Sequence, residues 1–178
     1  TNKSIQESFI ELQKIQQVCL QREKQLVVYL SMGFGNPYGD IYDSEIVLNW
    51  VEKIAALGVT VISLADTVGL ATPLQVGNLT KLVTEHFSQL EIGVHLHATS
   101  DGWKEKVEAA IQSGCTRIDG AIKGIGGCPM AGNELVGNMN TEYLIPFLNA
   151  NGLLSGPINN RSEEHTSELQ SRQYLVCR

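Results

Sequence analysis

Apolar residues in this chain follow two rhythms. Over residues 5–23 they fall at Ile5, Phe9, Leu12, Ile15 and Cys19, three or four apart, the spacing of one face of an amphipathic helix. Ser4 and Glu7 form the S-x-x-E capping box that would start it. At residues 26–31 (LVVYLS) the rhythm changes to a β-branched and aromatic run, the mark of a buried strand. Residues 33–40 (GFGNPYGD) are loop-forming by composition. The helical period returns over residues 44–57, with Ile46, Val47, Trp50, Val51 and Ile54 on the inner face and Gly58 as the stop.

The pair of rhythms then repeats. Residues 59–64 predict a strand, followed by Ala65-Asp66-Thr67-Val68-Gly69, and Thr72-Pro73 supplies the cap and N1 proline of a third helix. His86, near that helix's end, reads as a solvated side chain or a partner of the helix dipole. A third strand is expected at 91–97, a fourth helix at 102–113, a fourth strand at 117–122 and a short last helix at 141–150. Strands alternating with helices imply an α/β fold with a parallel sheet. Doubly wound sheets and (β/α)8 barrels share this pattern, and the lack of a GxGxxG after the first strand disfavours a dinucleotide fold. In both architectures functional groups gather at strand C-termini, where the polar loops after Ser31, Leu64, His97 and Ile122 lie.

Composition narrows the partners. The 178 residues predict one domain, and the charge of −6 without a basic cluster argues against nucleic acid. No run approaches the roughly 18 apolar residues of a membrane span. The polar start shows no signal peptide, and because it is Thr1 and not Met, an upstream segment with a targeting signal stays open. Cys19, Cys115, Cys128 and Cys177 are far apart and form no CxxC, so they read as reduced thiols of an intracellular protein. RSEEHTSELQS (161–171) resembles the translation of a sequencing-library adapter. Residues 1–160 are therefore expected to be the domain and 161–178 an artefact tail, the alternative being a genuine charged helix.

Two stretches carry candidate chemistry. His95 and His97 are two apart on a strand, so they share a face, and at a strand's C-terminal end such a pair can hold a divalent cation. Cys128 follows a Gly-x-Gly-Gly run and precedes Pro129, which puts a thiol at the tip of a turning loop. Asp66, directly after its strand, is either a site carboxylate or a turn cap. Ser63 is the candidate within the strand before it, and Ser31 and Asn36 occupy the corresponding place after the first strand.

SMGFGNPYGD (31–40), SLADTVG (63–69), GVHLH (93–97) and GIGGCPMA (124–131) together resemble the hydroxymethylglutaryl-CoA lyase family, over about residues 2–155. The resemblance implies the C-terminal half of a (β/α)8 TIM barrel, with about four parallel strands alternating with helices. It implies that His95, His97 and Asn138 are metal ligands, that Cys128 and Asp66 are catalytic, and that Ser63, Ser31 and Asn36 bind substrate. Nitrogen and oxygen donors of that kind suit Mg²⁺ or Mn²⁺. The implied reaction cleaves 3-hydroxy-3-methylglutaryl-CoA, an acyl-CoA, to acetyl-CoA and acetoacetate in a homodimeric parent. That parent would be cytoplasmic in a bacterium or mitochondrial in a eukaryote.

The HxH pair alone also suits a Claisen-type synthase of the isopropylmalate or homocitrate class, while the GGCP loop marks the lyase branch. The family's first-strand aspartate ligand and the arginine before it are absent, so the chain is expected to be inactive alone, with two bare strand edges. A non-catalytic half-barrel is the third reading.

Overall fold

The structure, a computed structural model, describes residues 4–126, 136–154 and 156, together with the backbone of 172–176. The first helix, α1 (Ile5–Gln21), starts at the expected box: the Ser4 hydroxyl accepts the Glu7 N–H, and the Glu7 carboxylate accepts the Ser4 N–H at 2.8 Å. Its buried face is rotated from the expected one. Ile5 and Ile15 are exposed, whereas Gln16 is buried and donates from Nε2 to the Gly58 carbonyl at 2.9 Å. Phe9, Leu12 and Gln16 set the inner line, and Ile15 lies about 100° round the helix from Gln16.

Next come β1 (Val27–Leu30), α2 (Ser44–Ala55), β2 (Val61–Ala65) and α3 (Pro73–His86). Asp43 caps α2 by accepting the Ile46 N–H, and Thr72 opens α3 with its own capping box. Val47, Val51 and Ile54 of α2 are buried as expected. Ile46 instead faces outward, and Trp50 is half-buried against Phe9 of α1 at 6.0 Å between ring centres. His86 closes the last turn of α3 with Nδ1 2.8 Å from the Leu82 carbonyl.

The strand expected at 91–97 breaks at Leu96. β3 (Glu91–His95) stays in the main sheet, while β4 (His97–Ala98) leaves it. Then follow α4 (Trp103–Gln112), β5 (Arg117–Ala121), a 3₁₀ turn at Ile122–Gly124, β6 (Gly137–Asn138) and α5 (Thr141–Ala150). β1, β2, β3 and β5 are parallel neighbours in that order, alternating with helices as in half a (β/α)8 barrel. The backbone of β7 (Arg172–Val176) runs antiparallel along β5. Of the two bare edges expected of a half-barrel, that of β5 thus carries a backbone partner.

The register sorts the sheet into two faces. Ile62, Leu64, Ile92, Val94 and Ile118 lie on one and are wholly buried beneath Val51, Val76, Val83, Val107 and Ala110 of the helices. The other face mixes Val61, Ala65 and Ala121 with the sheet's polar side chains. Tyr29, Ser63, Gly93 and Arg117 form one row across it, with His95 and Asp119 one step higher. Gly93 leaves room there: a Cβ would stand 3.1 Å from both the Cβ and the carbonyl of Arg117, whose Nη1 reaches Glu91 at 3.4 Å. In a barrel wall one face of the sheet lies under helices and the other turns to the interior, so this second row of side chains faces the barrel's inside.

Candidate functional site

Because β2 and β3 end in register, Ala65 beside His95, the two histidines stand at the sheet's C-terminal rim. The strand break does not separate them. Val94 and Leu96 are buried on the far side, and the imidazole rings sit edge to face with centres 5.0 Å apart.

His97 is the more enclosed. Its Nδ1 lies 2.8 Å from the Asp66 main-chain carbonyl. A carbonyl only accepts, so Nδ1 carries the proton and Nε2 keeps a bare lone pair. Burial holds this ring below the usual imidazole range. Repulsion from His95 and Lys106 acts the same way, and the Asp66 carbonyl and carboxylate pull against it. His95 turns Nδ1 toward Asp119 Oδ2 at 3.3 Å and meets the Tyr29 ring edge-on at 5.7 Å. Asp119 is buried, and its Oδ1 has no hydrogen-bond partner among the described residues. Each ring is therefore tied through Nδ1 and offers Nε2, the arrangement found at metal-binding histidines.

Asn138 stands directly across from His97, as its register partner in the antiparallel pair of β4 and β6. Opposed residues of such a pair share a face. Its Nδ2 donates to the Ile125 and Gly126 carbonyls at 3.0 and 2.9 Å, which leaves Oδ1 available as an oxygen donor. Among the described residues no cluster of three His, Cys, Asp or Glu could hold an ion. Two imidazoles with Nε2 unengaged and an amide oxygen nevertheless fit a divalent cation that tolerates nitrogen and oxygen ligands.

The remaining predicted residues divide. Asp66 is buried, accepts the Ala71 N–H at 3.2 and 3.3 Å, and pairs with Lys106 Nζ at 2.9 Å. Ser63 is fully buried one row beneath His95, and its hydroxyl has no partner among the described residues. Ser31 is exposed in the turn after β1. Asn36 is used up inside its own loop: Oδ1 accepts the Tyr38 and Asp40 N–H groups and Nδ2 donates to the Asp40 carbonyl. That loop is tied to the next by Met32 N–H to Thr67 Oγ1 at 2.8 Å and Gly33 N–H to the Ala65 carbonyl at 3.0 Å. Cys128 lies outside the described residues. On either side of it, Gly126 and Asn138 are joined by a main-chain hydrogen bond of 3.0 Å.

Sequence reasoning missed Lys106 and Asp119. Lys106 falls on the same helical face as Trp103 and Ala110, so its spacing marked it as inward-facing. Asp119 alternates with Arg117 on the polar face of β5.

Four parallel strands alternating with helices, with two imidazoles at their C-terminal rim, define half of a (β/α)8 barrel. The chain belongs to the HMGL-like family, whose model matches residues 1–170, and membership implies metal dependence. It is 33% identical over 147 residues to the hydroxymethylglutaryl-CoA lyase YngG of Bacillus subtilis, covering 83% of this chain and 49% of the relative. It is 34% identical over 129 residues to the (R)-citramalyl-CoA lyase of Chloroflexus aurantiacus, covering 72% of this chain and 40% of that one. Among solved structures, the Bacillus subtilis HMG-CoA lyase superposes with a TM-score of 0.77 at 32% identity, over 84% of this chain and 50% of the other. An HMG-CoA lyase from Acinetobacter baumannii, solved with coenzyme A and 3-methylmalate, superposes at 0.74 with 31% identity, over 84% and 48%. The chain spans about half the length of the curated relatives it matches.

Proposed function

We propose that this chain supplies the metal-binding rim of a carbon–carbon lyase that cleaves 3-hydroxy-3-methylglutaryl-CoA to acetyl-CoA and acetoacetate. The reading rests on one observation above all: His95 and His97 each spend Nδ1 on an oxygen acceptor and leave Nε2 free, at a rim where Asn138 is the strand partner of His97. In this reading the three residues hold Mg²⁺ or Mn²⁺. Once bound, such a cation lowers the pKa of a substrate hydroxyl and polarises a neighbouring oxygen. Burial keeps the His97 imidazole toward its neutral form, with a lone pair on Nε2 for a cation. Asp66, with its carboxylate committed to Ala71 and Lys106, serves by holding its loop and the His97 ring beside the substrate. Cys128 hands a proton to the enolate carbon of the departing acetyl group. Ser63 and the loop holding Ser31 and Asn36 line the substrate's side. The coenzyme A bound to the Acinetobacter relative supports an acyl-CoA substrate. A homodimer, in a bacterial cytoplasm or in mitochondria, completes the reading, consistent with the mitochondrial mouse relative and the bacterial ones.

The test is release of acetyl-CoA from 3-hydroxy-3-methylglutaryl-CoA by the longer parent protein, with Mg²⁺ or Mn²⁺ present. Citramalyl-CoA and the acetyl-CoA-plus-oxoacid pairs of the synthases serve as competitors. His95→Ala should abolish turnover and metal binding together. Cys128→Ser should cut turnover sharply and leave metal binding intact, and metal lost in that variant would contradict the role given to the thiol. This chain alone is expected to show no turnover.

A further inference from the structure

Lys106 is buried on α4, and its ammonium has three hydrogens to place. Three acceptors surround it: Asp66 Oδ2 at 2.9 Å, the His97 carbonyl at 2.8 Å and the Gly69 carbonyl at 3.3 Å. Every N–H is thus engaged, which leaves the group nothing to offer a substrate. The three acceptors belong to the segments that fix His97. Asp66 gives its own carbonyl to the His97 ring, and His97 is held by its main chain. Gly69 lies in the left-handed region (φ 74°) so close to β6 that an added Cβ would stand 2.6 Å from Val136 Cγ1 and 3.5 Å from His97 Cβ.

From this convergence we infer that Lys106 is a positioning residue: it clamps the 66–69 turn to the His97 backbone, locks His97 in its Nδ1–H form and so aims Nε2 at the cation. The step to metal affinity rests on His97 being a ligand. The step to the tautomer does not. A partner that orients a ligand in this way typically accounts for a 10- to 100-fold change in metal affinity.

The experiment uses the full 178-residue chain. Long-range ¹H–¹⁵N spectra of the imidazoles report the tautomer, and Mn²⁺ titration followed by electron paramagnetic resonance reports affinity. Lys106→Met alone strands a buried carboxylate, so the deciding variant is Asp66→Asn/Lys106→Met, which removes both charges and leaves the Asp66 carbonyl in place. The expected result is a single Nδ1–H form of His97 in the parent chain. In the folded double variant, both tautomers should appear and Mn²⁺ affinity should fall at least about tenfold. Lys106→Gln, which keeps an N–H donor, should recover part of each. A folded double variant with His97 unchanged and affinity within about twofold overturns the clamp. So does failure of both Met variants to fold, since Lys106 would then serve the fold alone. Unchanged Mn²⁺ affinity in His97→Gln would remove His97 from the ligand set while the tautomer result still decides the clamp.

Discussion

The two histidines sit two residues apart yet stand in unlike surroundings. On the β2 side, His97 is enclosed in a continuous run of contacts: ring to carbonyl, carbonyl to ammonium, ammonium to carboxylate, carboxylate to the Ala71 N–H. On the β5 side, His95 meets Asp119 at 3.3 Å, and the second oxygen of that buried carboxylate has no described partner. One flank closes this run of contacts around its histidine, with the Ser63 hydroxyl lower on β2 the group that has no described partner. Among the described residues, the other keeps a carboxylate oxygen that a further donor would satisfy. A buried oxygen without a donor costs stability, so such an oxygen marks where a fold has kept capacity in reserve.

The contrast predicts unequal penalties. Lys106→Met should be the most damaging change, costing about 3–5 kcal/mol, because it leaves a buried carboxylate unpaired. Urea unfolding measures this, and a loss below about 1 kcal/mol would show that water already reaches the pair. Gly69→Ala comes next. Its side chain would enter a left-handed position against Val136, at a cost of about 1–3 kcal/mol in the same assay.

The pH response of His97 should follow. Its folded pKa is depressed, so between that value and the unfolded one near 6.5 the unfolded chain binds more protons, and stability rises with pH. The contribution is present above about 6.5 and lost as pH falls through the folded value. Unfolding at pH 7.5 and 5.5 should show the drop, and His97→Gln should flatten it. Smallest is Asp119→Asn, expected to shift stability by less than about 1 kcal/mol, because the carboxylate it replaces is only half used. A large loss there would mean that the β5 flank is as tightly built as the other.

Much of this was legible in residue order. The βα alternation, the capping boxes at Ser4 and Thr72, and the shared side of His95 and His97 all follow from local spacing. The line of α1 did not, because a glutamine answering the Gly58 carbonyl outranked Ile15, and no periodicity of apolar residues registers a polar group buried by its hydrogen bond. Nor did Lys106. Its burial depends on three oxygens brought from positions 66, 69 and 97, a convergence that only tertiary structure creates. The break at Leu96 was hidden for a similar reason: β4 turns away to meet β6, some 40 residues on, and local preference does not encode such a pairing.

The strand β7 along β5 has a consequence for assembly. A sheet margin accepts one neighbour at a time, so a parallel strand arriving to close the cylinder must first evict the antiparallel occupant. Ring closure and retention of β7 are mutually exclusive, which makes trimming the chain after residue 160 the natural first move in any attempt to complement this half with another.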